Sequence, residues 1–525
     1  MRDVAQRWLE TEPDEDVRAE LRLLLDGDAD ELARRFEGQL EFGTAGLRAM
    51  IGAGPLRMNR LVVRQTAAGL GQYLLDTQPE AAERGVLIGF DARRKSDTFA
   101  LDTALVLAAM GIRTRVLAEP LPTPVLAWAI GEVGAVAGVM VTASHNPPTD
   151  NGYKVYLGSG SQIVSPVDAE ISERIGRVDA CSVDLADEAS PLVERLGREL
   201  VDGYLDRIAA LRLRPDVGGV LVAYTPLHGV GGRVLLEAFA HAGFPPPIVV
   251  ERQFQADAEF PTVSFPNPEE PGAMDMVIEL AREEGAAMAL ANDPDADRLG
   301  VAIPTPDGGW RLLRGDEIGW LLADHILRNT DGDERLVVTT LVSSSLLGKL
   351  AAEHGVHYAE TFTGFKWIGH EVQQRPDQRF VFGYEQALGY LVADRPLDKD
   401  GITAAVLMAE VASSAAADGV TLQHRLDELA ARFGRHITAE RSLKMDPAEG
   451  AARVAALRAD APVELNGAAV TGIEDYPEAN LLRIMVEGGV RVQVRPSGTE
   501  PKVKLYGEAI DADPTPFVDA LAALL

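Results

Sequence analysis

The chain has one cysteine, Cys181, in 525 residues. An intrachain disulfide is therefore impossible, and a zinc or redox site has little to start from; a reducing compartment is expected. Basic residues are scarce, with 50 Lys and Arg against 80 Asp and Glu and a formal net charge of -30. That balance argues against nucleic-acid or anionic-membrane partners, because phosphate affinity comes from clustered cations. An anionic ligand would need a local basic pocket working against the overall field. A long uninterrupted apolar run is also missing. The most apolar stretch, residues 127–143, contains Glu132 and internal glycines and reads as a helix end plus a buried strand, not a membrane span. The opening MRDVAQRWLETEPDEDVRAEL is acidic and helical in pattern, without a signal-peptide core, so a cytoplasmic location is expected.

What is present is an ordinary globular composition, 46% apolar and 25% charged, in a chain too long for one hydrophobic core. Three segments share one order of elements: GVLIGFDARRKSDTFALDTALVLAAMGIR from Gly85, GVLVAYTPLHGVGGRVLLEAFAHAGF from Gly219, and ERLVVTTLVSSSLLGKLAAEHGV from Glu334. Each reads as strand, loop and helix, and each is followed by a second strand: TRVLAE, PIVVERQF and HYAETF. A third strand in each copy runs into an unusual loop: GAVAGVMVTASHNP, GAAMALANDPDADR and RFVFGYEQALGY. Alternating strands and helices imply α/β domains with mostly parallel sheets and ligands beyond the carboxyl ends of the strands. After an Ala-rich helical stretch, residues 402–433, come LLRIMVEG, VRVQVRPSG and EPKVKLYGEA, which read as a smaller α+β unit. The expected architecture is three similar α/β domains, residues 1–205, 206–316 and 317–430, with mixed or parallel sheets, plus a C-terminal α+β domain, residues 431–525.

Four loops carry candidate chemistry. In TASHNP, Ser144 is a nucleophile candidate beside a possible base, His145; alone, the segment reads equally well as a Ser/Asn turn closed by prolines. In NDPDADR, Asp293, Asp295 and Asp297 alternate and would converge on a hard cation if the loop wraps; magnesium suits so short a loop, and an EF-hand is excluded. The competing reading is a solvated acidic turn, which the preceding apolar run disfavours. Glu385, in GYEQALGY, could accept hydrogen bonds from sugar hydroxyls or sit in an ordinary turn. RPSGTEPK offers Arg495, hydroxyls and a glycine backbone as an oxyanion nest, or else a polar β-turn. EFGTAGLR, ending in Arg48, and TGFK, with Thr363 and Lys366, could line an anionic ligand.

TASHNP, DPDADR, YEQALGY and RPSGTEPK, in that order, resemble the α-D-phosphohexomutases, the phosphoglucomutase and phosphomannomutase superfamily, over nearly the whole chain. FGTAGLR and YEQALG look like the branch with phosphoglucomutase and phosphopentomutase of type 2. The resemblance implies four domains around a central cleft, each contributing one loop. It implies that Ser144 carries the phosphate, and that Asp293, Asp295 and Asp297 hold magnesium together with it. It assigns Glu385 to the sugar hydroxyls, and Arg495, Ser497, Gly498 and Thr499 to the non-reacting phosphate. Arg48, His145, Lys154, Arg298, Thr363, Lys366 and Lys399 match positions lining the cleft. There are two departures. Ala387 stands where many relatives have serine, so sugar selectivity cannot be copied; Pro294 stands where many have glycine, with the carboxylate spacing intact.

The implied reaction moves a phosphate between two hydroxyls of one sugar. Phosphorylated Ser144 gives its phosphate to a sugar monophosphate, the resulting bisphosphate turns over, and its other phosphate returns to the serine. Magnesium would neutralise charge on the transferring group. Lys154, or else His145, is the candidate base. A sugar bisphosphate such as glucose 1,6-bisphosphate is the expected activator. Glucose is the favoured sugar, with mannose, ribose and deoxyribose as alternatives; oligomeric state is left open. A phosphatase is the enzymatic rival, and a non-catalytic sugar-phosphate sensor the rival of another class. The sensor would be expected to lack the nucleophile or a ligand. A serine hydrolase is excluded, since no G-x-S-x-G elbow surrounds Ser144.

Overall fold

The computed structural model describes residues 1–27, 29–43, 46–496 and 502–525. The expected site residues Ser497, Gly498 and Thr499 lie outside the described residues. The three sequence repeats fold alike. In each, the first strand (Val86–Phe90, Val222–Thr225, Arg335–Thr340) pairs in parallel with both the second and the third. The third strand (Ala137–Val141, Met288–Ala291, Arg379–Glu385) then pairs antiparallel with a return strand, Asp150–Leu157, Gly300–Pro304 or Gly389–Leu391. The sheets are therefore mixed, and the three chemistry-bearing loops lie at the equivalent turn between the third strand and its return. The C-terminal unit is a sheet of six strands, antiparallel throughout, with helices Pro447–Ala459 and Thr515–Ala522 packed on it.

Two expectations differ from the structure. PIVVERQF is not one strand: only Ile248–Val249 pairs, and Glu251–Phe254 turns into a helix. The helical turn buries Gln253, whose amide takes a hydrogen bond from Thr225 and donates one to Thr262. The expected boundaries after residues 205, 316 and 430 each cut a helix, namely Glu199–Ala210, Gly315–Arg328 and Leu422–Phe433. These helices read through without a break because each packs on other helices of the shared core: Glu199–Ala210 on Thr123–Glu132 and Gly231–His241, and both Gly315–Arg328 and Leu422–Phe433 on Gly401–Ala417. The largest apolar core runs through Trp128, Tyr204, Phe239, Trp320, Tyr384 and helix Gly401–Ala417. That helix is buried on every side up to Ala415, and its alanines are small enough for helices and strands to approach from all directions.

Before the first repeat, helices Arg2–Thr11, Glu15–Asp26 and Ala29–Phe36 form a cap with its own small core around Trp8, Leu21 and Leu32. The Glu20 carboxylate accepts the Ala53 N–H at 2.7 Å, bracing the turn after strand Leu47–Met50, which carries Arg48.

Candidate active site

Each third-strand loop holds one non-glycine residue in the left-handed region: Ser144 at φ 53°, Ala296 at 57° and Leu388 at 59°. Such conformations cost energy and persist where the surroundings dictate them. Around Ser144 the cause is visible. Arg93 donates to the carbonyls of Ser144, Asn146 and Pro147, and the Ser144 N–H donates to Thr142 Oγ1 at 2.8 Å. Thr142 in turn donates to buried Asp91 at 2.6 Å. The loop is thus drawn into a fixed shape with its serine only 1% exposed.

The Ser144 hydroxyl donates to Asp293 Oδ2 at 2.9 Å and lies 3.2 Å from His145 Nδ1. Asp293, Asp295 and Asp297 are wholly buried, and one carboxylate oxygen from each falls within 4.8 Å of the others. The Lys154 ammonium, carried on return strand Asp150–Leu157, donates to Asp295 and Asp297, both at 2.7 Å. Lys399 reaches Asp297 Oδ2 at 3.1 Å. The metal loop closes on itself: Arg298 N–H donates to Asp293 Oδ1 at 3.0 Å, and Asn292 donates to the Arg298 carbonyl at 2.6 Å. Its Pro294 is received by the first-strand loop of the same domain, where a Cβ on Gly229 would sit 2.4 Å from the Pro294 Cα.

Burial opposes ionisation of all three carboxylates, and the outcome divides them. Burial, with repulsion from Asp297 and Asp295, holds Asp293 well above the usual carboxylate range. At Asp295 burial and the charge of Asp297 are outweighed by Lys154, and at Asp297 burial is outweighed by Lys154 and Lys399, so both lie low. Burial first, then Arg298 and Arg48, pushes the His145 imidazole well below its ordinary value, so it is neutral at physiological pH. Among the described residues, buried Asp295 Oδ1 and Asp297 Oδ1 have no hydrogen-bond partner. Two orphaned carboxylate oxygens in an all-oxygen cluster fit a hard divalent cation.

Of the residues expected from sequence, Ser144, His145, Lys154, Arg298, Lys399 and the three aspartates meet here. Arg48 joins through Asn146 Oδ1 at 3.2 Å. Glu385 ends strand Arg379–Glu385 and is 7% exposed; a Cβ on Gly389 would touch both Glu385 and Lys399 at 3.0 Å. Burial raises the Glu385 carboxyl, with Lys399 and Arg298 opposing. Lys366 instead faces Asp168 Oδ2 of the first domain at 3.5 Å, and Thr363 is half-buried in the turn before helix Phe365–Gln373. Arg495 lies near the end of strand Val490–Pro496, with its Nε buried and without a partner among the described residues. Beside the site, a cavity of about 270 Å³ is bounded by Glu269 of the second domain, Gln386 and Leu388 of the third, and Glu440 and Tyr506 of the fourth. A larger groove of about 560 Å³, lined by Gln72, Arg174 and Asp179, lies on the first domain and contains none of these residues.

Sequence reasoning missed Arg93 and Thr123. Arg93 follows a first strand, so the rule that ligands gather at strand ends pointed to its neighbourhood. Thr123, in PLPTP, reads only as a helix start.

Comparison with known proteins assigns all four domains. Residues 39–181, 202–308 and 314–433 match the phosphoglucomutase/phosphomannomutase alpha/beta/alpha domains I, II and III, and residues 442–515 match the C-terminal domain of the same family. The chain is 42% identical over 469 residues to the Haemophilus influenzae protein named probable phosphomannomutase, covering 87% of this chain and 94% of that one. It is 38% identical to the phosphopentomutase of Mus musculus over 79% of this chain and 71% of that one. It is 33% identical to the human glucose 1,6-bisphosphate synthase, over 96% and 89% respectively. Among solved structures, a phosphoglucomutase/phosphomannomutase family protein from Burkholderia thailandensis superposes with a TM-score of 0.73 at 21% identity, covering 92% of this chain and 96% of that one.

Proposed function

The chain belongs to the α-D-phosphohexomutase superfamily, an enzyme family of magnesium-using phosphomutases, and from that premise we propose that it interconverts the 1-phosphate and 6-phosphate of a hexose, glucose first, through phosphorylated Ser144. The observation that carries the reading is the Ser144 hydroxyl at 2.9 Å from Asp293, inside a cluster of carboxylates with orphaned oxygens. Asp293, Asp295 and Asp297 would hold the ion, which when bound supplies charge neutralisation for the transferring phosphoryl group.

This chain's own residues do the rest. The P–O bond to Ser144 breaks as a sugar hydroxyl forms its own P–O bond; the hydroxyl proton passes to a base, and the Ser144 oxygen takes up a proton as it leaves. Lys154 is the first candidate base, and would serve only as the free amine, once its ammonium, which donates to Asp295 and Asp297, has given up a proton. Neutral His145, 3.2 Å from the serine oxygen, is the alternative. Arg48 and Arg298 would steady the departing and arriving phosphate, and Glu385 would accept from the sugar hydroxyls. Arg495, with Ser497, Gly498 and Thr499, would grip the phosphate that does not react. After the bisphosphate turns over, the same groups return the second phosphoryl to Ser144.

The choice of sugar rests on less. The relatives named phosphomannomutase and phosphopentomutase divide between hexose and pentose, so a phosphopentomutase is the second reading. A relative named glucose 1,6-bisphosphate synthase supports a sugar bisphosphate as the activating species. The experiment is a parallel assay of glucose, mannose, ribose and deoxyribose 1-phosphates with and without a bisphosphate primer. Glucose turnover fastest, with a lag removed by primer, is expected. Preferred ribose turnover would replace hexose with pentose, and steady release of free phosphate without isomer would overturn the mutase reading.

A further inference from the structure

Asp295 is held differently from its two companions. Its backbone carbonyl accepts the Thr123 N–H at 2.9 Å, and its Oδ2 accepts the Thr123 hydroxyl at 2.6 Å. Thr123 is wholly buried and opens helix Thr123–Glu132 of the first domain, between Pro122 and Pro124. Two prolines limit the backbone of this start, and the first N–H groups of a helix have no partner inside it. One of those N–H groups is satisfied by the metal loop of another domain. Asp295 is thereby pinned at both its main chain and its side chain by a single residue 172 positions away.

The consequence lies in the free oxygen. Oδ2 is occupied by Thr123 and by Lys154, whereas Oδ1 is buried and without a partner among the described residues. A carboxylate whose Oδ2 is tied cannot rotate about its side-chain bonds without breaking that bond, so Oδ1 has one direction in which to point. The two ties respond differently to a divalent cation. The Lys154 ammonium is repelled by it; the neutral threonine hydroxyl is not. The Thr123 bond is therefore the tie to Asp295 that persists when the site is loaded, and because it crosses from the domain of Ser144 to that of Asp295, it helps to hold the metal loop against the serine loop.

We propose that Thr123 is a positioning residue that orients Asp295 Oδ1 towards the divalent cation and locks the metal loop to the phosphoserine domain. This rests on the reading of Asp293, Asp295 and Asp297 as the ligands. The test is Mn²⁺ binding to the full-length protein, followed by the electron paramagnetic resonance signal of free Mn²⁺. Thr123→Val keeps the shape and the backbone bond but loses the hydroxyl, and should weaken Mn²⁺ affinity by about tenfold or more, in the range of lost outer partners of metal ligands. Thr123→Ser keeps the hydroxyl and should bind within about twofold of wild type. The Mg²⁺ concentration for half-maximal activity should rise in Thr123→Val, with KM for the sugar phosphate unchanged. Thr123→Ala serves if the valine variant fails to fold. Wild-type Mn²⁺ affinity in Thr123→Val, or equal losses in Val and Ser, overturns the proposal while leaving the mutase reading intact. A wild-type protein that takes up no Mn²⁺ overturns the ligand assignment and this inference together.

Discussion

The first three domains and the fourth are held by different means. Besides a core of their own, around Phe99, Val277 and Phe380 respectively, the first three share one larger apolar core, threaded by helix Gly401–Ala417, and their seams include buried ion pairs and hydrogen bonds at the site itself. The fourth has a core of its own, around Val454, Ile484, Val492 and Leu505. It meets the third at residues 341–345, at Glu360, which accepts from Arg483 at 3.0 Å, and at Trp320, whose ring packs on His436. Arg483 and Gln493 donate to the Leu341 carbonyl at 2.9 and 2.8 Å, Arg491 donates to that of Ser343 at 2.6 Å, and Glu508 accepts from Ser344 and Ser345. A small apolar contact of Leu341, Val342, Leu481 and Tyr506 underlies them. The phosphoryl-transfer centre is thus embedded in one fused body, and the candidate phosphate grip sits on a separately cored unit. Substitutions in the first should alter chemistry and folding together; substitutions in the second should alter ligand retention alone.

The largest effect expected is at Ser144. Ser144→Ala should abolish the phosphorylated species in intact-protein mass spectra and lower turnover by roughly a thousandfold or more, the scale seen when a covalent nucleophile is removed. Near-normal turnover would refute the covalent role. Next is Lys154→Met, which leaves buried Asp295 and Asp297 short of a counter-charge. Breaking a buried pair in this way costs about 3–5 kcal/mol. The metal-free variant should melt well below wild type, and added Mg²⁺ should recover part of the loss by binding the folded state. An unchanged melting curve in chelator would mean that the fused body does not depend on this seam.

A smaller, pH-dependent effect is expected where the fourth domain attaches. Asp316 is 3% exposed and accepts from the Ser344 N–H and the Tyr384 hydroxyl, each at 2.8 Å. Burial outweighs those bonds and pushes its carboxyl from 3.8 up to about 6. The folded protein then holds this proton more tightly than the unfolded chain. The stabilisation is complete below pH 3.8 and is lost as pH rises to about 6. At about 1.4 kcal/mol per pKa unit, the loss is at most about 3 kcal/mol. Asp316→Asn keeps an oxygen for both donors, so its melting temperature should vary less than wild type across that window and exceed it above pH 6. Parallel curves for the two proteins would show that the seam tolerates the charge.

The parts legible in the sequence are those whose chemistry follows directly on a buried strand. Ser144, Asp293 and Glu385 each come after an apolar run in the same ordinal strand, so repeat and motif point to the same place. Lys154 and Lys399 were legible only through family resemblance, because a lysine in a return strand or loop carries no signal of its own. Thr123 and Arg93 were not singled out: one acts across 172 residues, the other on backbone carbonyls, and beyond the place of Arg93 after a first strand neither leaves a pattern in its neighbours. Residues 402–433 stood out in composition, but nothing there told that Gly401–Ala417 is the centre of the fused core. A helix without a polar face is read correctly only once its surroundings are known.

Arg495 tests the other half of the comparison. It sits opposite Lys504 in the fourth domain's sheet, and Lys504 is paired with Glu440 at 2.9 Å. The Arg495 Nε, without a partner among the described residues, is the kind of donor a phosphate would complete. A charge-assisted hydrogen bond contributes about 1.5–3 kcal/mol, so Arg495→Ala should raise KM for the sugar phosphate roughly 10- to 100-fold. If this domain only grips, single-turnover transfer from phosphorylated Ser144 at saturating substrate should keep its wild-type rate and the melting temperature should hold, since neither the fused core nor the metal loop is touched. A fall in that transfer rate with KM unchanged would place Arg495 in the chemistry and erase the division between the two bodies.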